Sequence, residues 1–112
     1  MKRAKSVIPP RVEYYAGIMG LSYEKVYIRL QKTRWGSCSS KKNLSFNALL
    51  ALMPTEVLDS VIVHELAHLK YMNHQKLFWN LVYRYFPKEK YAACRKYLNS
   101  EGMKIMKEMG VR

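Results

Sequence analysis

The sequence predicts an α+β fold: an N-terminal helix, a small antiparallel β-hairpin, a central helix and further C-terminal helices. Three observations carry this expectation. Apolar residues recur with a helical period over residues 12–19, alternate strictly over 26–30 and 44–47, and return to a helical period from Pro54 onward. With 112 residues the chain is long enough for one core and short for two, so 1–112 reads as a single domain.

Each element follows from local pattern. Tyr15, Ile18 and Met19 fall at i, i+3 and i+4. Pro9-Pro10 suits a first turn, where no donor is lost, and Gly20 suits the stop. Val26, Ile28 and Leu30 share one face of an alternating segment, the mark of a half-buried strand. Residues 36–43 are rich in Gly, Ser and Asn, and 44–47 alternate again, so the two strands are expected to pair as a hairpin across a polar loop. Pro54 or Thr55 opens the next helix, and Glu56 in its first turn favours the helix dipole. Residues 57–69 are apolar around most of the circumference, which predicts a central, buried helix. A helix from about His74 to Phe86 should bury Phe78, Leu81, Val82 and Tyr85 before Pro87 ends it. Another begins near Lys88, with Tyr91, Cys94, Arg95 and Leu98 along one face. Beyond Gly102 the pattern fits either a short helix or a frayed end.

Composition limits the function classes. Apolar residues at 49% and charged residues at 25% exclude a disordered chain. Twenty Lys and Arg against eight Asp and Glu leave a net charge of +12, which favours polyanionic partners such as nucleotides or nucleic acid. Cys38 and Cys94 form neither a disulfide framework nor a CxxC metal knuckle, consistent with a reducing compartment. The longest purely apolar run, 48–53, falls far short of the roughly 20 residues a membrane span needs. The basic N-terminus lacks the apolar stretch of a signal peptide, and a cytoplasmic location is expected.

The central helix contains His64-Glu65-Leu66-Ala67-His68. Positions 64 and 68 lie about one turn apart on one face, so two imidazoles can share a metal ion. Glu65 lies about 100° around the helix from His64, placed to reach a water rather than to ligate. That is the general-base arrangement of a zinc hydrolase. The only other histidine, His74, could not join the site in a continued helix, because six residues carry it roughly 9 Å along the axis. The helix is therefore expected to end near residues 69–72 and fold back, with Asn73 tolerating a left-handed turn. Three His ligands leave the fourth position open, as in catalytic sites; Glu89 and Glu101 are the rival third ligands.

The blocks Thr33-Arg34-Trp35-Gly36-Ser37-Cys38-Ser39, Leu44-Ser45-Phe46-Asn47, Pro54, Val63-His64-Glu65-Leu66-Ala67-His68-Leu69, Asn73-His74 and Phe78-Trp79 occur in order. Over residues of about 10–100 the chain resembles the YgjP-like metal-dependent hydrolases, zincin-type metallopeptidases related to the SprT-like and WLM proteins. The resemblance implies a zincin-like core spanning that region with little beyond it. It also implies one zinc ion on His64, His68 and His74, and Glu65 as catalytic acid/base. The metzincin pattern is shared only locally, since Tyr71 stands where metzincins have glycine and no Met-turn can be assigned.

Three further residues are candidates for contact with substrate or transition state. Arg34 could stabilise an oxyanion or bind a carboxylate or phosphate, against a structural ion pair. Tyr71 could donate to a tetrahedral intermediate, against simple packing. Asn47, with Ser45, lies on a strand that could flank the cleft and pair with an extended peptide. Cys38 reads as a small packed residue rather than a nucleophile. Residues 25–42 hold six cations and no acid, a stripe that could line a polyanion path. Met103, Met106 and Met109 read as packing. The sequence thus points to a zinc-dependent peptidase. The alternatives are a metal-dependent nucleotide or phosphate-compound hydrolase, a nucleic-acid-associated module, and a purely structural metal.

Overall fold

The computed structural model describes residues 1–108. The chain runs through helix α1 (Lys2–Met19), strands β1 (Lys25–Arg29), β2 (Gly36–Cys38) and β3 (Asn43–Asn47), and a 3-10 segment (Ala48–Leu52). Helices α2 (Thr55–Ala67), α3 (Lys76–Tyr85) and α4 (Lys88–Tyr97) follow, then a π-helical turn (Leu98–Gly102) and α5 (Met103–Glu108). The expected α+β class holds, and Met109 lies outside the described residues.

Helix α1 starts at Lys2, so Pro9 and Pro10 lie inside it rather than in the expected first turn. Its buried stripe is Ala4, Ile8, Val12, Ala16 and Met19, while Ile18 stays exposed. Packing explains both departures: the first turns lie on the 3-10 segment, where Arg3 Nε donates to the Ala51 carbonyl at 3.3 Å. Burying Ala4 and Ile8 there outweighs the backbone donors lost at the prolines. Gly20 ends the helix as expected, at φ 67°, with Leu21 N–H closing on the Ala16 carbonyl at 3.0 Å.

The sheet corrects the hairpin. The segments around 26–30 and 44–47 do pair, but in parallel, with Val26 opposite Leu44 and Ile28 opposite Phe46. The antiparallel hairpin is formed by β2 and β3, with Ser37 opposite Ser45. The Gly/Ser-rich run read as a loop holds both a three-residue strand and the tight turn that reverses it, with Lys42 at φ 63°. Strand order is β1-β3-β2, so β2 is an edge strand. Leu44 and Phe46 are fully buried, while Tyr27, Arg29 and Ser45 line a cleft on the other face of the sheet.

Helix α2 is the centre, as its composition requires. Every residue from Val57 to Ala67 is buried, and the helix touches α1, α3, α4, β2 and β3. In α3 the buried residues are Phe78 and Val82, while Leu81 and Tyr85 are half-buried. Tyr91, Cys94 and Leu98 are buried along α4 and the following turn. No helix among the described residues is long and apolar enough to cross a membrane.

Candidate active site

Helix α2 ends at Ala67, and three short 3-10-type bonds follow, from His68, Leu69 and Lys70 N–H to the carbonyls of Glu65, Leu66 and Ala67. They tighten the last turn and reverse the chain, so that residues 71–75 return across the helix end. Asn73 does not take the expected left-handed conformation; Lys42 is the only non-glycine residue with positive φ among those described. Its carbonyl instead accepts from Gln75 N–H at 2.9 Å.

The reversal brings His74 Nε2 to 3.1 Å from His64 Nε2 and 3.2 Å from His68 Nε2. A tetrahedral ion with bonds of 2.0–2.1 Å separates its ligand nitrogens by about 3.3 Å, so the spacing fits one ion. Tautomers fit as well. His68 Nδ1 lies 3.0 Å from the Tyr71 carbonyl, which can only accept, so the proton sits on Nδ1 and the Nε2 lone pair faces inward. His64 Nδ1 lies 2.8 Å from the Tyr91 hydroxyl, which accepts from Arg95 Nη2 at 2.8 Å and has a second lone pair for an Nδ1–H. Burial, then the positive charge of His68, Arg95 and His74, pushes the His64 pKa down to about 3. Burial also lowers that of His68. Neutral imidazoles with inward lone pairs are the form that binds a metal, and His64, His68 and His74 could hold one. Glu89 and Glu101 are not in this group, and Glu101 accepts from Lys104 at 3.4 Å.

Phe78 lies beneath all three rings, its centroid 4.5–5.0 Å from theirs, and is itself fully buried. Trp79 stacks on His74 at 5.8 Å. Together they account physically for the Phe78-Trp79 block: an apolar floor and a wall fix the rings.

Glu65 is buried beside the triad and makes no hydrogen bond among the described residues. Burial pushes its pKa up to about 7, against the opposing pull of Arg95 and Arg34. Gly36 of β2 lies directly over it: a Cβ there would come within 3.0 Å of Glu65 Cγ, 3.1 Å of Val61 Cγ1 and 3.2 Å of the Ser45 carbonyl. A cleft of about 290 Å³ runs between β2 and the three histidines. A second, of about 440 Å³, shares Gly36, His64, Glu65 and His74 with the first and is also lined by Arg34 and Arg95.

The remaining candidates divide. Arg34 is exposed and lines the cleft beside Glu65. Asn47 is fully buried on the central strand and touches neither cleft around the triad. Its Nδ2 donates to the carbonyls of Gln31 and Arg34 at 2.9 and 3.1 Å, and its Oδ1 accepts from Leu49 N–H at 3.0 Å. It holds the Arg34 loop rather than a substrate, and the edge strand beside the site is β2, not its own strand. Tyr71 presents its carbonyl to His68 while its ring lines a separate cleft with Leu77, Asn80 and Arg84. Cys38 is half-buried and lines the cleft between β2 and the histidines; its thiol is pushed up to about 11, chiefly by burial, which disfavours a thiolate nucleophile. Tyr91, Arg95 and Gly36 were not recognisable as site residues from sequence. The (i, i+4) spacing of Tyr91 and Arg95 shows that they can meet, but nothing local shows that they meet His64.

Comparison with known proteins gives the family and the fold. The family described as YgjP-like, metallopeptidase domain, matches residues 1–101. A comparison with curated protein sequences gives no match. Among solved structures, the metallopeptidase zymogen of Pyrococcus abyssi abylysin superposes with a TM-score of 0.73 at 25% identity, covering 85% of this chain and 96% of that one. The metallopeptidase zymogen of Methanocaldococcus jannaschii jannalysin shares the fold, with a TM-score of 0.75 at 24% identity over 84% of this chain and 95% of its own. The chain belongs to the YgjP-like metallopeptidase family, as its sequence blocks implied.

Proposed function

We propose that this YgjP-like metallopeptidase cleaves peptide bonds with one zinc ion held by His64, His68 and His74 and with Glu65 as general base. The observation that carries the reading is the convergence of three Nε2 atoms beside the Glu65 carboxyl group, which lines the clefts and hydrogen-bonds to no other described residue. Zinc, when bound, supplies a Lewis acid and makes water a competent nucleophile near neutral pH. Glu65 takes the proton from the attacking water and returns it to the leaving amine. Phe78 and Trp79 hold the imidazoles in place, and the Tyr71 carbonyl and Tyr91 hydroxyl orient them from behind. The edge strand β2, which borders the cleft, offers backbone groups to an extended peptide.

Glu65→Gln tests the assignment. The amide keeps the shape but accepts no proton, so kcat/KM on a peptide substrate should fall by about 10²–10⁴-fold while the zinc content stays at one per chain. Loss of zinc together with activity would make Glu65 a ligand. A second reading, binding of a polyanion, rests on the outer-face cleft that carries Arg29 and Arg34. Single-stranded DNA titrated at low and high salt decides it, since phosphate contacts weaken steeply with salt.

A further inference from the structure

The cleft of about 440 Å³ beside Glu65 also reaches His64 and His74. Val61 of α2, Trp35 and Asn99 line it as well. Arg34 faces it from the loop before β2, and Arg95 faces it from α4. The Arg95 guanidinium and the Arg34 backbone are each held in place. Arg95 is tied through Nη2 to the Tyr91 hydroxyl at 2.8 Å. The Arg34 carbonyl is held by Asn47 at 3.1 Å, and the neighbouring Trp35 ring packs on Gly102, where a Cβ would come within 3.1 Å. Among the described residues neither arginine pairs with a carboxylate; the three ion pairs are Arg11–Asp59, Lys90–Glu56 and Lys104–Glu101. Two cations face one cleft whose single carboxyl group, Glu65, forms an ion pair with neither, which leaves a net positive site for an anion.

We infer that this cleft binds a carboxylate of the substrate next to the scissile bond. The inference rests on the peptidase reading and deepens it, giving Arg34 and Arg95 the role of setting specificity. A carboxylate suits the geometry better than a phosphate. The cleft contains Glu65 itself, which repels a dianion more than a singly charged group. Its size accommodates a side chain, and the planar guanidinium fork matches a carboxylate. The group can come from a glutamate or aspartate side chain or from the free C-terminus of a peptide.

The experiment uses zinc-loaded protein and a neutral decapeptide with an amidated end, carrying one glutamate or one glutamine at each position in turn. A parallel set has free C-termini. Binding is read by fluorescence anisotropy and products by mass spectrometry. At one position glutamate should bind at least about tenfold more tightly than glutamine, as charge-assisted hydrogen bonds imply. The preference should vanish in Arg34→Gln and in Arg95→Gln, survive in Arg95→Lys, and turn toward lysine in Arg34→Glu. That last gain is one that a misfolded variant cannot produce. If only the free-ended set shows the preference, the bound group is the chain terminus. Equal binding of glutamate and glutamine in both sets, or a preference untouched in Arg34→Gln and Arg95→Gln, overturns the inference. So does displacement of the glutamate peptide by single-stranded DNA with steep salt dependence, which would reassign the cleft to phosphate. Preference without any product would leave the carboxylate site standing and remove the peptidase reading. Products without preference would do the reverse.

Discussion

Helix α2 buries two acidic residues six positions apart, and they have opposite surroundings. Asp59 is 6% exposed and fully answered: Arg11 Nε and Nη2 donate to its two oxygens at 2.6 and 2.8 Å, and the Tyr15 hydroxyl donates at 3.1 Å. The pair raises the Arg11 pKa and fastens α1 to α2. Glu65 is 7% exposed and has no such partner among the described residues. Burial raises its pKa, and only the more distant charges of Arg95 and Arg34 oppose the rise. One carboxylate closes the fold; the other is the general base of our proposal.

The contrast is sharpest if Arg11 is replaced. Arg11→Met keeps most of the packing but leaves Asp59 buried and unpaired, and should cost about 2–4 kcal/mol by urea unfolding, with the upper range of buried pairs reduced because Arg11 reaches solvent. A cost below 0.5 kcal/mol, roughly the level of an exposed pair, would erase the distinction.

Glu65 should respond the other way in the metal-free chain. Its pKa rises from an ordinary 4.5 to about 7 on folding, so its contribution is full below pH 4.5 and is lost as pH climbs through 7. His64 falls from 6.5 to about 3, so its contribution is lost as pH drops from 6.5 toward 3. The two slopes oppose each other between pH 4.5 and 6.5. Glu65→Gln removes the first, and the chelated variant should exceed the parent by on the order of 2–3 kcal/mol at about pH 8 and match it near pH 4. Thermal unfolding across that range with chelator present checks this; parallel profiles would show that Glu65 is not strained by burial.

A smaller effect comes from the strand above. Gly36→Ala drives a methyl group against Glu65, Val61 and the Ser45 carbonyl, and should cost about 1–3 kcal/mol. It should also lower activity more than zinc affinity, because the displaced group is the carboxyl and not a ligand. Smallest of all is Tyr71→Phe. It keeps the carbonyl that faces His68, so kcat/KM should change by less than about twofold; a larger drop would place the phenol in the site after all.

What could be read in advance divides along local and distant lines. The HExxH pair was legible because helical geometry alone places His64 and His68 together. His74 was legible because a continued helix could not serve it. The path of the return was not, since three successive 3-10-type bonds, rather than a left-handed Asn73, turn the chain. Pro9-Pro10 looked like a helix start because the local rule ignores what α1 gains by packing on residues 48–52. The parallel pairing of β1 and β3 was hidden because a three-residue strand gives too few alternations to register. For Asn47 and Tyr71 residue type advertises a side-chain role toward substrate, while the contacts seen in the fold are a loop clamp and a backbone carbonyl.

The brevity of β2 has a consequence for solubility. An open sheet edge that can receive a peptide can also receive another copy of the same protein, the usual beginning of aggregation. Three residues present only about 10 Å of edge. That is enough to align a short stretch of foreign chain beside the histidines, and too little for self-stacking to propagate. The lysines at 41 and 42, in the turn that follows, repel a second copy arriving along the same edge.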